Sequence, residues 1–303
     1  MTDQEAALAV REAGLQRHDG TIFAYSTWDA IPVALGLLHF VAVAVLALTF
    51  SRLSWPVAIA CGLLYSVSIS WNINSVAHNF IHNPFFISLA ANRAFSVLLS
   101  VTLGFSQEMY RHIHLRHHSG NMDRQGPDGT TVDYLSFYRY GVNGQPENPW
   151  RYTFLSYLRD DPAEILPRIR ANRPLDAMFA KLELWTVITV YLALLFWDWR
   201  AVICLVPFYY LGHSLSALNG YYEHFGGDPD KPIAWGVSTY GRIYNWTWLY
   251  NGYHAEHHYR PKVHWTRMVA LHRAIAEEQK REGVRVLRVP HALGFLEAGS
   301  ARK

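Results

Sequence analysis

Four long apolar runs constrain this chain most, because each is close to the length of a membrane-spanning helix. They lie at about 31–50, 55–71, 182–196 and 201–218. A helix needs roughly 20 predominantly apolar residues to cross the hydrocarbon core of a bilayer. Half of the chain is apolar and 17% is charged, against about 25% charged in an average soluble domain. We therefore expect an all-α integral membrane protein with four transmembrane helices, folded as a single domain over residues 1–303.

A fifth apolar stretch, 85–105, differs from the other four because it carries Asn92 and Arg93 near its middle. Lipid tolerates a charged side chain at this depth badly. The stretch is therefore expected to be interfacial or re-entrant. A polar segment rich in Gly, Pro, Asp and Arg follows it, at 107–181, and separates the second span from the third.

The distribution of Lys and Arg predicts the orientation of the chain in the membrane. These residues crowd the 107–181 segment and the tail after Lys231, whereas the two short turns between spans hold one arginine each, Arg52 and Arg200. Cytoplasmic loops carry an excess of positive charge. We therefore expect both termini and a helical cap formed by the polar segments on the cytoplasmic face.

Other features disfavour several classes of protein. Cys61 and Cys204 both lie in apolar stretches and form no CxxC pair, which argues against disulfides and thiolate metal sites. A net charge of +3 with no basic stripe gives little support for nucleic-acid binding. The N-terminal region lacks the pattern of a cleavable signal peptide. Residues 3–17 are instead expected to form a polar helix, with Thr2 and Glu5 spaced as a capping box.

Histidines occur in three clusters that each follow an apolar stretch or a turn. The first is HNFIH, the second lies in RHIHLRHHSG, and the third lies in GYHAEHHYRP. On a helix, positions i, i+3 and i+4 share one face, so each HxxHH presents three imidazoles together. The clusters supply His78 and His82, then His114, His117 and His118, then His254, His257 and His258.

Eight imidazoles are too many for one tetrahedral zinc and enough for two metal ions with open positions. Imidazole suits Fe, Zn, Cu and Ni. His224, just beyond the last span, would be a ninth ligand. His39 is expected to be a packed or hydrogen-bonded residue, and His18, His272 and His291 are expected to be solvated. Residues that would support the ligands, or would equally have ordinary structural roles, are Asn219, His213, His112, Glu223, Glu256 and Asp123.

This order of motifs, HxxxH, HxxHH, a lone His and HxxHH around paired spans, resembles the membrane fatty acid desaturase and hydroxylase superfamily over about 31–268. The stretch from GHSLSALNGYYEHF through GYHAEHHYRPKVHW resembles the C-terminal part of sphingolipid delta-4 desaturases. The resemblance implies that the nine histidines bind two Fe²⁺ ions. Two departures from the motif pattern of the superfamily weaken assignment to any one of its branches. The first cluster is short and lacks an acidic residue, and Asn219 precedes His224 by one residue too many for an NxxxH motif.

The resemblance also implies an O2-dependent desaturase that introduces a double bond into a lipid acyl chain. A hydroxylase with the same cofactor is the closest alternative, and a membrane zinc hydrolase is an alternative of another class. The substrate and the position of reaction stay open. A hydrocarbon tunnel between spans would be lined by residues such as Trp71, Tyr65 or Trp248, which would otherwise anchor the helices at the membrane interface.

Each turnover of such an enzyme needs two electrons, and the sequence contains no recognisable donor domain. It lacks a haem-binding HPGG motif, ferredoxin cysteines and a nucleotide-binding glycine loop. An external ferredoxin, rubredoxin or cytochrome b5-like protein is therefore implied as the donor. Its docking face would be formed by Arg111, Arg116 and Arg124, unless these arginines form an ordinary solvated or lipid-headgroup face.

Overall fold

The computed structural model describes residues 22–119, 124–126, 131 and 133–302. The predicted N-terminal helix, His18 and Asp123 lie outside these residues. The α-helices are α1 (Ala30–Thr49), α2 (Trp55–Asn72), α3 (His78–His82), α4 (Leu89–Leu103), α5 (Gln107–His117), α6 (Pro149–Leu155), α7 (Pro162–Asn172), α8 (Pro174–Trp197), α9 (Trp199–His224), α10 (Arg242–Thr247), α11 (His254–Tyr259) and α12 (Met268–Glu282). Two short strands, β1 (Ser238–Thr239) and β2 (Val286–Leu287), pair in parallel.

Four helical segments in the described part of the chain are long and apolar enough to cross a membrane. They are Thr27–Arg52, Trp55–His82, Pro174–Trp197 and Trp199–His224, which confirms the predicted number of spans. The second segment continues from α2 through a π-helical turn, Ile73–Ala77, into α3. The first histidine cluster is thus carried on the end of a spanning helix.

The third and fourth spans are longer than the apolar runs that predicted them. The predicted 182–196 begins at Pro174, and the predicted 201–218 extends to His224. The added first turns of α8 carry a charged group that has partners: Asp176 binds Arg93 at 2.7 Å and Arg111 at 3.3 Å. Polar residues inside these turns therefore hid the full helix length.

Close helix packing holds α9 against α2. A Cβ atom on Gly62 would lie 2.5 Å from the Phe208 ring, so only glycine allows this approach. Ser66 reinforces the contact by donating a hydrogen bond of 2.7 Å to the Phe208 carbonyl. At one end of the bundle, the Ser51 hydroxyl donates to the Asp198 carboxylate. The two short inter-span turns therefore meet at the same end of the bundle.

The fifth apolar stretch forms a bent pair of helices, because α4 and α5 meet at 95°. Gly104 makes the bend with a left-handed backbone (φ 75°), and Ser106 caps α5 by accepting a hydrogen bond from the Met109 amide. Arg93 is not an unpaired charge, since its guanidinium binds Glu108 at 2.9 Å. The bend directs α5 and the second histidine cluster away from the line of α4.

The C-terminal region is attached to the start of the first span. Asp29 is fully buried there and accepts hydrogen bonds from the His264 ring at 2.8 Å and from the Trp265 indole at 3.1 Å. The third histidine cluster lies in the same C-terminal region. It is thereby held at the end of the bundle from which the first span starts, opposite the two short turns. Cys61 and Cys204 are free thiols and half-buried.

Candidate metal centre

All nine histidines predicted as metal ligands come together at this end of the bundle. The ends of the second and fourth spans supply three, the bent α5 and the residue after it supply three, and α11 supplies three. Seven of the nine residues are buried, and His82 and His118 are half-buried. The nine are His78, His82, His114, His117, His118, His224, His254, His257 and His258.

The histidines form two adjacent groups. Within each group, one ring nitrogen from every residue lies within 4.8 Å of those of the others. His254 extends the second group, because its Nε2 lies 3.0 Å from Nε2 of His224. Two pairs of adjacent histidines, His117 with His118 and His257 with His258, are each divided between the two groups. The first group contains His78, His82, His114, His118 and His257, and the second contains His117, His224 and His258.

The nitrogen spacing fits metal coordination. Nε2 atoms are 3.0 Å apart between His78 and His257 and 3.2 Å apart between His257 and His118. Two nitrogens bound at about 2.1 Å and at right angles on one metal lie about 3.0 Å apart. A neutral imidazole has only one N–H to donate, and both ring nitrogens of the buried His258 have no hydrogen-bond partner among the described residues. The donor set therefore fits two nitrogen-rich metal positions.

Burial favours the protonation state that metal binding needs. It lowers the pKa of His254, His257 and His258 well below the usual value, and neighbouring imidazoles add a smaller effect in the same direction. A histidine must be neutral to bind a metal ion. These three residues are therefore uncharged near neutral pH even before a metal ion adds its own charge.

Two hydrogen bonds orient histidines from outside the cluster. Nδ1–H of His117 donates to the buried Asp133 at 2.6 Å, and Nδ1–H of His78 donates to the Asn251 carbonyl oxygen at 3.0 Å. The Asn251 amide in turn donates to Glu223 at 2.6 Å. Such partners fix the tautomer and leave Nε2 free as a ligand. Glu223 therefore acts on His78 through Asn251.

Asn219 supports this network and does not point at the histidines. Its amide donates to Glu223 at 2.7 Å, and its carbonyl oxygen accepts a hydrogen bond from Tyr244 at 3.3 Å. Glu256 accepts hydrogen bonds from Ser238 at 2.7 Å and His272 at 2.6 Å. It thus joins α11 to its neighbours.

The remaining predicted support residues lie outside both groups. His112 is half-buried on α5 and belongs to neither. His213 donates to the Leu103 carbonyl at 3.0 Å and stacks on Tyr157 with ring centroids 3.9 Å apart.

The expectation of a solvated side chain is wrong for His291, whereas His272 is half-buried with 26% of its side chain exposed. His272 is held by its bond to Glu256, and His291 is fully buried and donates to the Val237 carbonyl at 2.8 Å. The tail segment packs back against α9, which sequence patterning did not indicate. His39 is hydrogen-bonded to Ser68 and Asn72, as expected.

Asp133, Asn251 and Trp235 were missed from the sequence. Asn251 lies three residues before the third cluster, so its position offered a signal. Asp133 follows the second cluster at a distance and within a polar segment, where nothing distinguishes it from other acids. Trp235 is buried, and its ring centroid lies 4.4 Å from that of His258. It covers one side of the second group.

A cavity of about 370 Å³ adjoins the histidines. Trp71, Tyr65 and Trp248, predicted as tunnel lining, are not among the described residues that line it. The Trp71 indole instead donates to the Thr247 carbonyl at 2.8 Å, and Trp248 lines a separate surface depression. The walls come mainly from α5, α9 and the segment from Tyr152 to Pro162, and they include Phe105, Met109, Tyr110, Ile113, Leu135, Ser156, Leu184, Ser216, Ala217 and Gly220.

Arg111 and Arg124, which were predicted to belong to a docking face, have acidic partners. Arg111 binds Glu108 at 3.1 Å and Asp176 at 3.3 Å, and Arg124 binds Asp230 at 2.8 Å. The Arg111 contacts connect α5 to α8. A role in docking therefore stays a prediction.

Comparison with known proteins agrees with this arrangement. A sequence model of the fatty acid desaturase family matches residues 53–289. The chain is also similar to a rice (Oryza sativa subsp. japonica) protein described as sphingolipid delta(4)-desaturase DES1-like, with 26% identity over 256 residues, covering 82% of this chain and 74% of the relative. The match and the four apolar spans support an integral membrane oxidoreductase of the lipid desaturase and hydroxylase type. The chain belongs to the fatty acid desaturase family.

Proposed function

We propose that this protein is an O2-dependent di-iron desaturase that introduces a double bond into a lipid acyl chain. The observation that carries the proposal is the pair of adjacent, buried histidine groups opening onto one cavity. An all-nitrogen donor set with more than four ligands is unlike a tetrahedral zinc hydrolase site. Family membership supports lipid oxidation as the type of reaction.

The chain's own residues have three tasks in this reaction. The nine imidazoles would hold two iron ions, which supply activation of O2 for removal of hydrogen from an unactivated C–H bond. Asp133 and Asn251 keep His117 and His78 in the tautomer that leaves Nε2 available. Apolar wall residues such as Ile113 and Leu135 position a hydrocarbon beside the histidines. Accurate placement of the reacting carbon decides between a second hydrogen removal and hydroxylation.

A cytoplasmic active site and an external electron donor complete the proposal. The histidine groups and the start of the first span lie at one end of the bundle, and the two arginine-bearing turns lie at the other. Because cytoplasmic loops carry the excess of Lys and Arg, the histidine end would face the cytoplasm, where a ferredoxin, rubredoxin or cytochrome b5-like protein would deliver electrons. A reporter fused after Lys303 should give a cytoplasmic signal, and a signal from the opposite side would refute this orientation.

The reaction itself is tested by expression with oxygen and a reducing system, followed by mass analysis of lipids. The proposal predicts a product lighter by two hydrogens. A product heavier by one oxygen would instead identify a hydroxylase.

A matched pair of variants on α5 links the product to the histidine groups. His114→Ala should abolish product formation and lower the iron content. His112→Ala should retain both, because His112 lies two residues away on the same helix and outside both groups. Equal activity and iron content in the two variants would contradict the assignment of His114.

A further inference from the structure

One stretch of the 107–181 segment is apolar, although composition assigns the segment as a whole to the cap. Residues 148–158, NPWRYTFLSYL, hold a single charged side chain, Arg151, which binds Glu147 at 3.2 Å. α6 lies in this stretch, and a 3-10 turn, Tyr157–Arg159, follows it. Large apolar side chains form a patch on it and are 36–63% exposed: Trp150, Phe154, Leu155 and Leu158. Such a patch marks a contact surface.

The two ends of this stretch are held together at one place. The Arg159 guanidinium binds both carboxylate oxygens of Glu147 at 2.8 Å, and this carboxylate is buried. The hydroxyl of Tyr221, three residues before His224 on α9, donates to the Glu147 carbonyl at 2.9 Å. The stretch therefore starts and finishes near the histidine end of α9.

Between its ends, the stretch runs along α9 toward the middle of the span. The Tyr210 hydroxyl donates to the Phe154 carbonyl. Tyr210 and Tyr221 are eleven residues apart, which is about three turns and roughly 16 Å along a helix. Because both contacts are made by tyrosine hydroxyls from nearly the same face of α9, Phe154 lies much deeper in the bundle than Glu147.

The far end of α9 relates this depth to the membrane. Trp197 and Trp199 are exposed at the short turn between the last two spans, and tryptophan is enriched at the edge of the hydrocarbon layer. Tyr210 is eleven residues from Trp199, again roughly 16 Å. The hydrocarbon core is about 30 Å thick, so the contact between Tyr210 and Phe154 lies near its middle.

The backbone of the stretch is suited to this depth because its polar groups have partners. The Tyr152 amide donates to the Asn148 carbonyl and the Ser156 amide to the Tyr152 carbonyl, each at 2.9 Å. Tyr210 supplies a donor to the carbonyl near the end of α6. Non-helical backbone is tolerated at membrane depth where it lines a cavity, and Tyr157 in the following turn lines the cavity beside the histidines.

We propose that residues 147–159 form a re-entrant element whose exposed apolar side chains contact the acyl chains of membrane lipids. Tyr152, Ser156 and Tyr157 line the cavity, whereas Phe154 and Leu158 face the bilayer. The cavity is thus separated from lipid by one short segment instead of by a spanning helix. This inference goes beyond the proposed reaction and does not depend on it.

The test uses full-length protein in phosphatidylcholine nanodiscs with Cys61→Ala and Cys204→Ala, so that one introduced cysteine carries a nitroxide label. Phe154→Cys probes the element. Ile188→Cys is the lipid control, because Ile188 is an exposed residue within the α8 span, and Val142→Cys is the aqueous control, because Val142 is exposed in the 107–181 segment outside the element. Collisions of the label with oxygen and with the chromium oxalate trianion are measured by electron paramagnetic resonance.

The Phe154 label should behave like the Ile188 label. Its collision rate with chromium oxalate should be at least about tenfold below that of the Val142 label, because entry of a charged group into hydrocarbon is strongly unfavourable, while its collisions with oxygen stay frequent. A chromium oxalate rate equal to that at Val142 would overturn the proposal. Protection from both reagents would also overturn it, because it would indicate a contact with a second copy of the chain.

A measurement on the wild type removes the dependence on cysteine variants. Nanodiscs containing phosphatidylcholine with a diazirine in its acyl chain are irradiated, and the adducts are located by mass spectrometry. Adducts should occur in the peptide that holds Trp150 to Leu158, as well as in the spans. Labelling of the α8 peptide around Ile188 with none in the Trp150 to Leu158 peptide would reject contact of the element with lipid.

Discussion

The hydrogen bond between Asp133 and His117 gives the sharpest test of how the site is supported. Both side chains are buried, at 1% and 4% exposure, and the bond is 2.6 Å long. The other carboxylate oxygen accepts a hydrogen bond from the Leu135 amide at 2.8 Å. Each carboxylate oxygen of Asp133 therefore accepts one hydrogen bond, and losing either oxygen would leave a buried donor without a partner.

Asp133→Asn keeps the size of the side chain and replaces one acceptor with a donor. If its oxygen serves the Leu135 amide, its NH2 group opposes Nδ1–H of His117. The imidazole relieves this conflict by moving its proton to Nε2, the atom that lies 3.0 Å from Nε2 of His224, and a protonated nitrogen cannot bind a metal ion. Loss of such an outer partner typically costs 10–100-fold in metal affinity, which is about 1.4–2.7 kcal/mol.

The assay is competition for Fe²⁺ between the purified protein and a chelator, with activity measured in parallel. Asp133→Asn should release iron at roughly 10–100-fold lower chelator concentration. Asp161→Asn should match wild type, because Asp161 is an exposed residue that caps α7 by accepting a hydrogen bond from the Ala163 amide at 2.8 Å. Unchanged iron affinity in Asp133→Asn would refute the idea that this carboxylate holds His117 in its ligand tautomer.

Three further predictions concern packing, attachment of the cap and the cavity. Gly62→Ala should destabilise the protein by about 1–3 kcal/mol, because its Cβ would lie 2.5 Å from Phe208. In thermal unfolding, adding Phe208→Leu should recover part of the lost stability. If the double variant instead loses the sum of the two single-variant losses, the clash is contradicted. Asp29→Ala leaves the His264 and Trp265 ring N–H groups unpaired and should lower stability by about 1–3 kcal/mol for each; an unchanged unfolding temperature would argue against the anchor. Ala217→Trp fills the cavity and should stop product formation with iron retained, so joint loss of iron and activity would show that the variant disturbs the metal groups instead.

Much of the fold was predictable because lipid imposes a simple rule on sequence. A helix such as α1 must be apolar along its length, so its bounds of Ala30–Thr49 follow closely from composition. The histidine clusters were equally predictable, since helical spacing alone brings His254, His257 and His258 to one side of α11. Their convergence was predicted because the four-span topology places all three clusters on the same side of the membrane.

The rest depended on contacts between distant parts of the chain. The start of α8 at Pro174 was hidden because its charged residues find partners on α4 and α5, which composition does not reveal. The burial of His291 depends on the tail returning to α9. Asp133 reaches His117 through a polar segment with no periodic pattern. The cavity lining was mistaken for the same reason: Trp71 and Tyr65 have suitable character, but their direction is set by packing.

Metal analysis combined with Mössbauer spectroscopy tests the central claim most directly, because it counts and identifies what the two histidine groups hold. Protein purified without chelators should contain about two iron ions per chain in nitrogen-rich environments, and His257→Ala should lose iron while still inserting into the membrane. One zinc ion per chain, or full iron content in His257→Ala, would contradict the di-iron account.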